Sequence, residues 1–224
     1  MNITQFDTST AWIAAVLEEI KICYIKWKLT QKPDDKFRIA LSGGTTPKPI
    51  YEHFRTLAIN WNDVELFQTD ERYTADPTEL NQLMILPALT NPVIASLAKL
   101  TLFNTELAIK QSIETFTKNI PGTAFDLVIL GIGTDGHIAS LFSPTDFDNP
   151  NAVIATNAPH QYKTTVRLSL GSSVLLIAKN ILVIADSTKI EAITHKNISP
   201  IQQKILSQSQ IMIMKKTSTG EAIR

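Results

Sequence analysis

Short apolar segments alternate with loops and helix-forming segments along most of the sequence, and this alternation constrains the fold more than any other feature. The clearest apolar segment is FDLVILGIG at 125–133, a nearly continuous run typical of a strand covered on both faces. Similar runs are FRIALS at 37–42, VELFQT at 64–69 and ILVIAD at 181–186. The pattern predicts an α/β fold with a mainly parallel sheet, helices on both faces and Rossmann-like layering.

Weaker patterns complete this prediction. A first helix, capped by Ser9 or Thr10, is predicted by apolar residues at helical spacing between 13 and 27. We expect further strands and helices as follows: strands at 97–104, 152–156 and 211–216, and helices at 47–57, 80–89, 106–119 and 187–196. No repeat or flexible linker divides the 224 residues, so we expect a single domain over 1–224.

Composition excludes several classes of protein. Lys and Arg total 21, as do Asp and Glu, so the net charge of zero argues against a general nucleic-acid or acidic-membrane binder. Cys23 is the one cysteine, which excludes an intramolecular disulfide and favours a reducing compartment. The first residues lack the pattern of a secretory signal, and no apolar run approaches the ~20 residues of a membrane span. We therefore expect a cytoplasmic protein.

The loop after the first predicted strand has the composition of an anion site. Gly43 and Gly44 allow the backbone to approach a ligand closely, and Ser42, Thr45 and Thr46 supply hydroxyl groups. A helix that starts directly afterwards would direct its free amides to the same place. The loop therefore predicts phosphate binding, although a plain turn with Thr46 as the helix cap explains the same residues equally well. The nucleotide-binding pattern GxxxxGK[ST] is absent.

Charged residues follow other predicted strands. The run 70–73 is typical of a solvated turn, but Arg72 could bind phosphate or sugar oxygens as a fork and Asp70 could orient a substrate. Arg167 and Lys189, each unremarkable alone, could converge on the same crevice. Ligands of such sheets bind at the carboxyl ends of the strands, so we expect these side chains near one another.

The segment GIGTDGHIASLF at 131–142 contains the strongest catalytic candidate. Residues 131–136 formally fit GxGxxG, but no acidic residue ends a strand ~20 residues later, so we reject a dinucleotide site. His137 lies beside Asp135 among glycines, and an imidazole can both accept and donate a proton near neutral pH. No HExxH, CxxC or EF-hand pattern predicts a metal, and no GxSxG nucleophile elbow is present.

Several segments together resemble the 6-phosphogluconolactonase family and follow that family's order between about residues 37 and 193. GIGTDGHIASLF is the most specific of them. The segments are LSGGTTPKPIYE at 41–52, TDERY at 69–73, FDLVILGIGTDGHIASLF at 125–142, VRLSL at 166–170 and the stretch around Lys189.

The same superfamily contains glucosamine-6-phosphate deaminase, and the residues after the histidine distinguish the two. The deaminase has a Phe-Asn-Glu-Pro run with a catalytic Glu, whereas residues 140–144 here are Ser-Leu-Phe-Ser-Pro without an acid. Two departures from the lactonase pattern remain. Leu80 precedes Asn81 where the family usually has Ser-Asn, which bears on a substrate contact. The C-terminus reads MKKTSTGEAIR, whereas the family often ends with an Asp and Ala-rich tail.

The resemblance implies hydrolysis of 6-phospho-D-glucono-1,5-lactone in the oxidative pentose phosphate pathway, with a small sugar phosphate as substrate and no cofactor or metal. His137 would be the general base, and Asp135 would orient it or contact sugar hydroxyls. The phosphate would be held by residues 42–46, Arg167 and Lys189, with Arg72 as a further contact, and backbone amides of the glycine-rich segment would stabilise the oxyanion. The alternatives are a deaminase-like aldose–ketose isomerase and a non-catalytic sugar-phosphate sensor. A monomer is favoured, without nucleic-acid or membrane partners.

Overall fold

The strands of the computed structural model, which describes residues 2–89, 94, 97–194 and 199–215, form two sheets. They are β1 (Asn2–Phe6), β2 (Phe37–Leu41), β3 (Val64–Gln68), β4 (Asp70–Arg72), β5 (Lys99–Thr101), β6 (Leu127–Leu130), β7 (Val153–Asn157), β8 (Val166–Leu170), β9 (Ile181–Asp186) and β10 (Gln210–Met214). The larger sheet has the order β1-β10-β9-β6-β2-β3-β5, and all its neighbouring strands are parallel. The smaller sheet, β4-β8-β7, is antiparallel.

Helices connect these strands. They are α1 (Ser9–Thr30), α2 (Lys48–Glu52), α3 (Gln82–Leu89), α4 (Ile109–Asn119), α5 (Pro144–Phe147), α6 (Ser172–Leu176), α7 (Ile190–Thr194) and α8 (Pro200–Gln208). Short 3₁₀ turns occur at Phe54–Thr56, Trp61–Asp63, Pro77–Glu79 and Ser187–Lys189. Among the described residues, no helix is both long enough and apolar enough to cross a bilayer.

The predicted α/β architecture is confirmed, and its cause is visible in β6. Leu127 and Ile129 pack into the apolar cluster that α1 covers, whereas Val128 and Leu130 pack into the cluster that α8 covers. Both faces of the strand are therefore buried, and all four residues are apolar for that reason.

Some predicted boundaries are wrong. The first helix is capped by Thr8, whose side chain accepts the N–H of Ala11, and not by Ser9 or Thr10. The helix predicted at 47–57 is shorter, because it is α2 followed by a 3₁₀ turn. The end of the helix predicted at 187–196 and the atypical C-terminus from residue 216 lie outside the described residues.

The small antiparallel sheet was not predicted. The strand expected at 152–156 is present as β7, but it pairs with β8 in this sheet and not with a parallel neighbour. Strand β4 consists of three charged residues and β8 alternates apolar with polar residues, so both lack the continuous apolar run that marks β6. This sheet brings Arg72 and Arg167 together, because they are directly paired across β4 and β8.

The order in which strands are added to the larger sheet changes direction between β2 and β6. From β2 it proceeds to β3 and β5 on one side, and from β6 to β9 and β10 on the other. In open parallel sheets, a crevice forms where the connections after two adjacent strands diverge in this way. The loops that follow β2 and β6 therefore border a cleft at the carboxyl edge of the larger sheet.

A buried carboxylate joins the small sheet to α3. The Glu71 side chain accepts the N–H groups of Arg72, Asn81 and Gln82 and the side-chain amide of Gln68, at 2.6–2.9 Å. Burial raises the pKa of Glu71, and these hydrogen bonds oppose the rise. Because Glu71 is fully buried, the charged run 70–73 is not a solvated turn.

Replacing Glu71 with Gln should destabilise the protein by about 2–4 kcal/mol, because an amide NH₂ would face backbone N–H donors in a buried site. Urea unfolding should show a lower midpoint at an unchanged slope. Glu52→Gln, on the exposed face of α2, is the matched control and should change stability by less than about 0.5 kcal/mol. Equal effects of the two substitutions would contradict this role of Glu71.

Candidate active site

A cavity of about 360 Å³ lies at the carboxyl edge of the larger sheet, where the loops after β2 and β6 diverge. Ten of the eleven site residues named from the sequence line it, and Asp135 contacts one of the ten, His137. The lining residues are Ser42, Gly43, Gly44, Thr45, Thr46, Pro47, Asp70, Arg72, Asn81, Met84, Gly131, Ile132, Gly133, Thr134, His137, Ala139, Ser140, Phe142, Tyr162, Arg167 and Lys189.

Ser42 joins the two loops that form the cleft. Its hydroxyl accepts the N–H of Gly131 at 3.2 Å, and its own N–H donates to the carbonyl of Ile129 at 3.1 Å. The buried Tyr51 hydroxyl donates to the Ser42 carbonyl at 2.8 Å. Ser42 therefore connects the β2 loop to the β6 loop by hydrogen bonds, in addition to lining the cavity.

The rest of the β2 loop presents free backbone donors. Within the described residues, the N–H groups of Gly43–Thr46 donate no hydrogen bond to the protein. Thr46 does not cap the following helix, because α2 begins after Pro47 without a side-chain cap, so the simple capping explanation for this residue is wrong. Consecutive unpaired amides at a cavity wall are suited to an anion.

The two glycines of this loop are required for different reasons. A Cβ at Gly43 would overlap the Asn81 side chain, so close packing within the protein excludes any larger residue there. Gly44 has a φ of +104°, which other residues rarely adopt. Asn81 donates to the carbonyl of Asp70 at 3.1 Å and lines the cavity, whereas Leu80 is buried and does not line it. The departure from the family pattern at Leu80 therefore leaves the cavity wall unchanged.

Asp70 is held in a fixed orientation at the cavity wall. Its carboxylate accepts the hydroxyl of Thr69 at 2.7 Å and that of Ser140 at 2.8 Å, with the Asn81 amide at 3.4 Å. Ser140 follows Ala139, a non-glycine residue with a φ of +50°, and this turn directs the serine side chain toward Asp70. The hydrogen bond between Ser140 and Asp70 links the β6 loop to β4.

Two arginines form a cationic wall. The Arg72 guanidinium donates to the carbonyl of Glu79 at 2.7 Å, while Arg167 is 6% exposed and its Nε has no hydrogen-bond partner in the described part of the chain. Burial, and next the charge of Arg72, lower the pKa of Arg167. Since a buried donor needs an acceptor, this wall is suited to a bound anion.

Lys189 adds a further positive charge from a different strand. Asp186 ends β9 and its carboxylate accepts the N–H of Thr188 at 3.0 Å, which caps the 3₁₀ turn that carries Lys189 to the cavity. Lys189 forms no ion pair with any described residue. Three cationic side chains from β4, β8 and the β9 loop therefore reach one cavity.

His137, which lines the same cavity, forms a hydrogen-bonded pair with Asp135. The Nδ1 atom of His137 lies 2.5 Å from a carboxylate oxygen of Asp135, and the Tyr162 hydroxyl donates to the other oxygen at 3.0 Å. Burial alone would raise the pKa of Asp135, but the hydrogen bond and charge of His137 and the Tyr162 hydroxyl outweigh it and lower that pKa well below its usual range. An ionised carboxylate only accepts, so Nδ1 is the donor of this hydrogen bond, and in the neutral imidazole Nε2 is the nitrogen that can accept a proton.

The glycine-rich turn makes this pair possible. A Cβ at Gly133 would overlap both the imidazole of His137 and the carboxylate of Asp135. The N–H groups of Gly131, Gly133 and Gly136 all donate to protein acceptors, so an oxyanion donor from this segment would have to be another of its N–H groups.

Sequence reasoning missed three residues of this site. Tyr162 lies in the loop between β7 and β8, and Asn81 and Ser140 lie next to residues that drew attention for other reasons. Asn81 and Ser140 could have been found from the motifs that contain them. Tyr162 belongs to no motif, so only the folded structure shows it. Among the described residues, no group of three or more His, Cys, Asp or Glu side chains could hold a metal ion.

Comparisons with known proteins find a matching family model and similar sequences. The family model described as glucosamine-6-phosphate isomerases/6-phosphogluconolactonase matches residues 8–212. Relatives named 6-phosphogluconolactonase include those of a Nostoc species (33% identical over 153 residues, 59% of this chain and 60% of that protein) and Haemophilus influenzae (30% over 195 residues, 81% and 78%). The chain spans less than two thirds of the first of these relatives.

Solved structures show the same fold. The 6-phosphogluconolactonase of Thermotoga maritima superposes with a TM-score of 0.79 at 26% identity, over 96% of this chain and 99% of that one. The enzyme of Shewanella baltica gives 0.81 at 23% identity over 96% and 98%, which supports the fold alone. With a family model that covers most of its length, the chain belongs to the glucosamine-6-phosphate isomerase/6-phosphogluconolactonase family.

Proposed function

We propose that the protein hydrolyses 6-phospho-D-glucono-1,5-lactone to 6-phosphogluconate. The observation that carries this proposal is that an Asp-oriented imidazole, His137, and a cationic wall line the same cavity of about 360 Å³. The cationic wall suits a phosphoryl group and the imidazole suits proton transfer, so a phosphorylated substrate with a reactive carbonyl fits both. The names of the relatives supply the identity of the lactone.

The phosphoryl group would be bound at the cationic side. The Arg167 fork offers its unpaired Nε–H, Lys189 offers a point charge, and the loop 43–46 offers free amides. Arg72 strengthens the positive potential while its own guanidinium holds the Glu79 carbonyl. Binding there would anchor the far end of the sugar and leave the lactone carbonyl to face His137.

The reaction needs one base that later becomes an acid. The Nε2 atom of His137 removes a proton from a water molecule as its oxygen bonds to the lactone carbonyl carbon. When the tetrahedral intermediate collapses, the bond from that carbon to the ring oxygen breaks and the imidazolium returns the proton to the ring oxygen. Asp135 remains ionised and stabilises the imidazolium. The N–H of Thr134, which has no acceptor among the described residues, is a donor for the oxyanion.

The two alternatives have different requirements. A deaminase-like isomerase needs an acid after the histidine, and the corresponding stretch has Ser140 bonded to Asp70 and Leu141 fully buried. A sugar-phosphate sensor needs no turnover, so it would be stabilised by 6-phosphogluconate without consuming the lactone. Following the disappearance of enzymatically generated lactone, corrected for spontaneous hydrolysis, separates the lactonase from both.

His137→Gln should lower kcat for the lactone by about 10²- to 10⁴-fold, because the amide cannot accept the proton from water. Substrate binding should remain near the wild-type value, since the cationic wall is unchanged. His53→Gln is the matched control, because His53 bonds the carbonyl of Pro49 and does not line the cavity. Unchanged turnover in the His137 variant would remove it from the mechanism.

Asp135→Asn should lower kcat by up to about 100-fold, through loss of orientation of the imidazole, with KM nearly unchanged. The acid limb of kcat/KM should move to lower pH, because a neutral amide stabilises the imidazolium less than a carboxylate does. Asp148→Asn, exposed at the end of α5, is the control and should change neither. A large rise in KM would instead indicate that Asp135 contacts the sugar.

The lowered pKa of Asp135 also predicts a stability difference. Its contribution to stability is present above the unfolded-state value of about 3.9 and is lost as the pH falls through the lower folded-state value. Acidification below about pH 4 should therefore remove this contribution from the wild type, whereas Asp135→Asn has none to lose. Parallel acid-unfolding curves of the two proteins would contradict the assignment.

Arg167→Ala should raise KM by about 10- to 150-fold, which is the change expected for the loss of one charge-assisted hydrogen bond. The effect on kcat should be smaller. Lys189→Ala should act in the same direction. Arg55→Gln, on an exposed 3₁₀ turn, is the control for a lost positive charge. An unaltered KM would place the substituted residue outside the phosphate site.

A further inference from the structure

Tyr162 contacts both halves of the site. Its hydroxyl lies 3.0 Å from Asp135 Oδ2 and 3.4 Å from His137 Nδ1, and its ring is packed edge-on against the imidazole with centroids 5.8 Å apart. The guanidinium carbon of Arg167 lies 5.7 Å from the centre of the same ring, within the range of a cation–π contact. One side chain from the loop between β7 and β8 therefore connects His137 and Asp135 with the cationic wall.

We propose that Tyr162 is a positioning residue that tunes the proton affinity of His137 through Asp135 and aligns Arg167 over the same cavity. The inference rests on the proposed function insofar as His137 acts as the base. Its electrostatic part does not require the substrate, so it can be tested separately.

The tuning follows from how Asp135 divides its hydrogen bonds. One carboxylate oxygen accepts from His137 and the other accepts from the Tyr162 hydroxyl. A carboxylate that already accepts a second hydrogen bond stabilises a neighbouring imidazolium less strongly. Tyr162 therefore limits how firmly His137 holds its proton, which keeps the imidazole available as a base.

The Tyr162 hydroxyl remains a donor throughout the working pH range. Burial, and next its hydrogen bond to Asp135, raise the pKa of Tyr162 to about 12. The phenol is therefore protonated throughout acidic, neutral and mildly alkaline pH. The donor–acceptor relation between them does not reverse between acidic and mildly alkaline pH.

The loop that carries Tyr162 is fastened on both sides. The neighbouring Lys163 forms ion pairs with Asp76 at 3.2 Å and with Glu79 at 3.0 Å, and Glu79 is also the residue whose carbonyl holds Arg72. The aromatic ring packs against Phe142 with centroids 5.6 Å apart. The ring contacts with His137 and Phe142 orient the hydroxyl toward Asp135, whereas the largely exposed ion pairs of Lys163 contribute little to this orientation.

Other charged groups line the same cavity as His137. Asp70 and Arg72 belong to β4, Arg167 belongs to β8, and Lys189 follows β9. Removing only the phenolic oxygen leaves all four in place and keeps the ring under Arg167. A change in the titration of His137 in such a variant can then be assigned to the lost hydrogen bond.

Tyr162→Phe should lower kcat by about 3- to 10-fold, because Asp135 loses one of the hydrogen bonds that orient it toward the imidazole, and should leave KM within about twofold. The acid limb of kcat/KM should move up by about half a pH unit, because Asp135 then stabilises the imidazolium more strongly. Tyr162→Leu should also raise KM, since Arg167 loses its aromatic neighbour. Tyr73→Phe, whose hydroxyl bonds the carbonyl of Leu107 away from the cavity, is the matched control and should leave the profile unchanged.

The coupling through the carboxylate has its own test. In an Asp135→Asn background, Tyr162→Phe should no longer shift the acid limb, because no carboxylate remains to transmit the change. An equal shift in both backgrounds would overturn the proposed route through Asp135. A merely structural role of Tyr162 would lower activity or the unfolding temperature without this dependence.

A substrate-free measurement separates this inference from the proposed function. The ring C–H signals of His137, assigned by their loss in His137→Gln, should titrate about half a pH unit higher in Tyr162→Phe than in the wild type. That shift in a protein without lactonase activity would support the role of Tyr162 and reject the proposed function. Identical titrations in the two proteins, or the same shift in Tyr73→Phe, would overturn the inference regardless of activity.

Discussion

The hydrogen bond between the Ser42 hydroxyl and the N–H of Gly131 fixes the relation between two loops that lie 89 residues apart in the chain. It sits where β2 and β6 are adjacent but lead to opposite sides of the sheet. Parallel pairing already brings the carboxyl ends of β2 and β6 to one edge of the sheet, and this hydrogen bond connects the loops that follow them. The free amides after β2 and the imidazole after β6 face one cavity because the two loops cannot shift independently.

The cationic wall requires compensation from the rest of the fold. Arg72 and Arg167 lie side by side on paired strands, and Arg167 is desolvated with an unpaired Nε. Such an arrangement disfavours folding, because like charges repel and a buried donor loses its hydration. A phosphoryl group that binds there would reduce the repulsion between the arginines and accept the hydrogen bond of the buried donor. These two unfavourable contributions to folding would then favour binding of the anion.

The sequence predicts the parts of this protein that depend on continuous patterns. Strands β2, β3, β6 and β9 are buried on both faces, so their apolar runs mark them clearly. Strands β4 and β8 could not be recognised, since β4 is entirely charged and β8 is partly polar, and these polar side chains are buried or line a cavity instead of facing solvent. Gly43 was assigned to ligand approach, whereas the Asn81 side chain is what excludes a larger residue there. Tyr162 comes from a loop whose position depends on tertiary contacts, which no local pattern encodes.

Two sheets with different roles must keep a constant separation for the proposed chemistry. The large sheet carries the base and the small sheet carries the arginines, so any sliding between them would change the distance from phosphate to carbonyl. Asp70 and Ser140 join the sheets at 2.8 Å, Glu71 fastens the small sheet to α3, and Tyr162 spans from Arg167 to Asp135. A lactone is an activated ester, so a base held at a fixed distance from an anchored substrate accounts for hydrolysis without a covalent intermediate. In the proposed mechanism, a rigid junction between the sheets is therefore what links phosphate binding to selection of the carbonyl to be attacked.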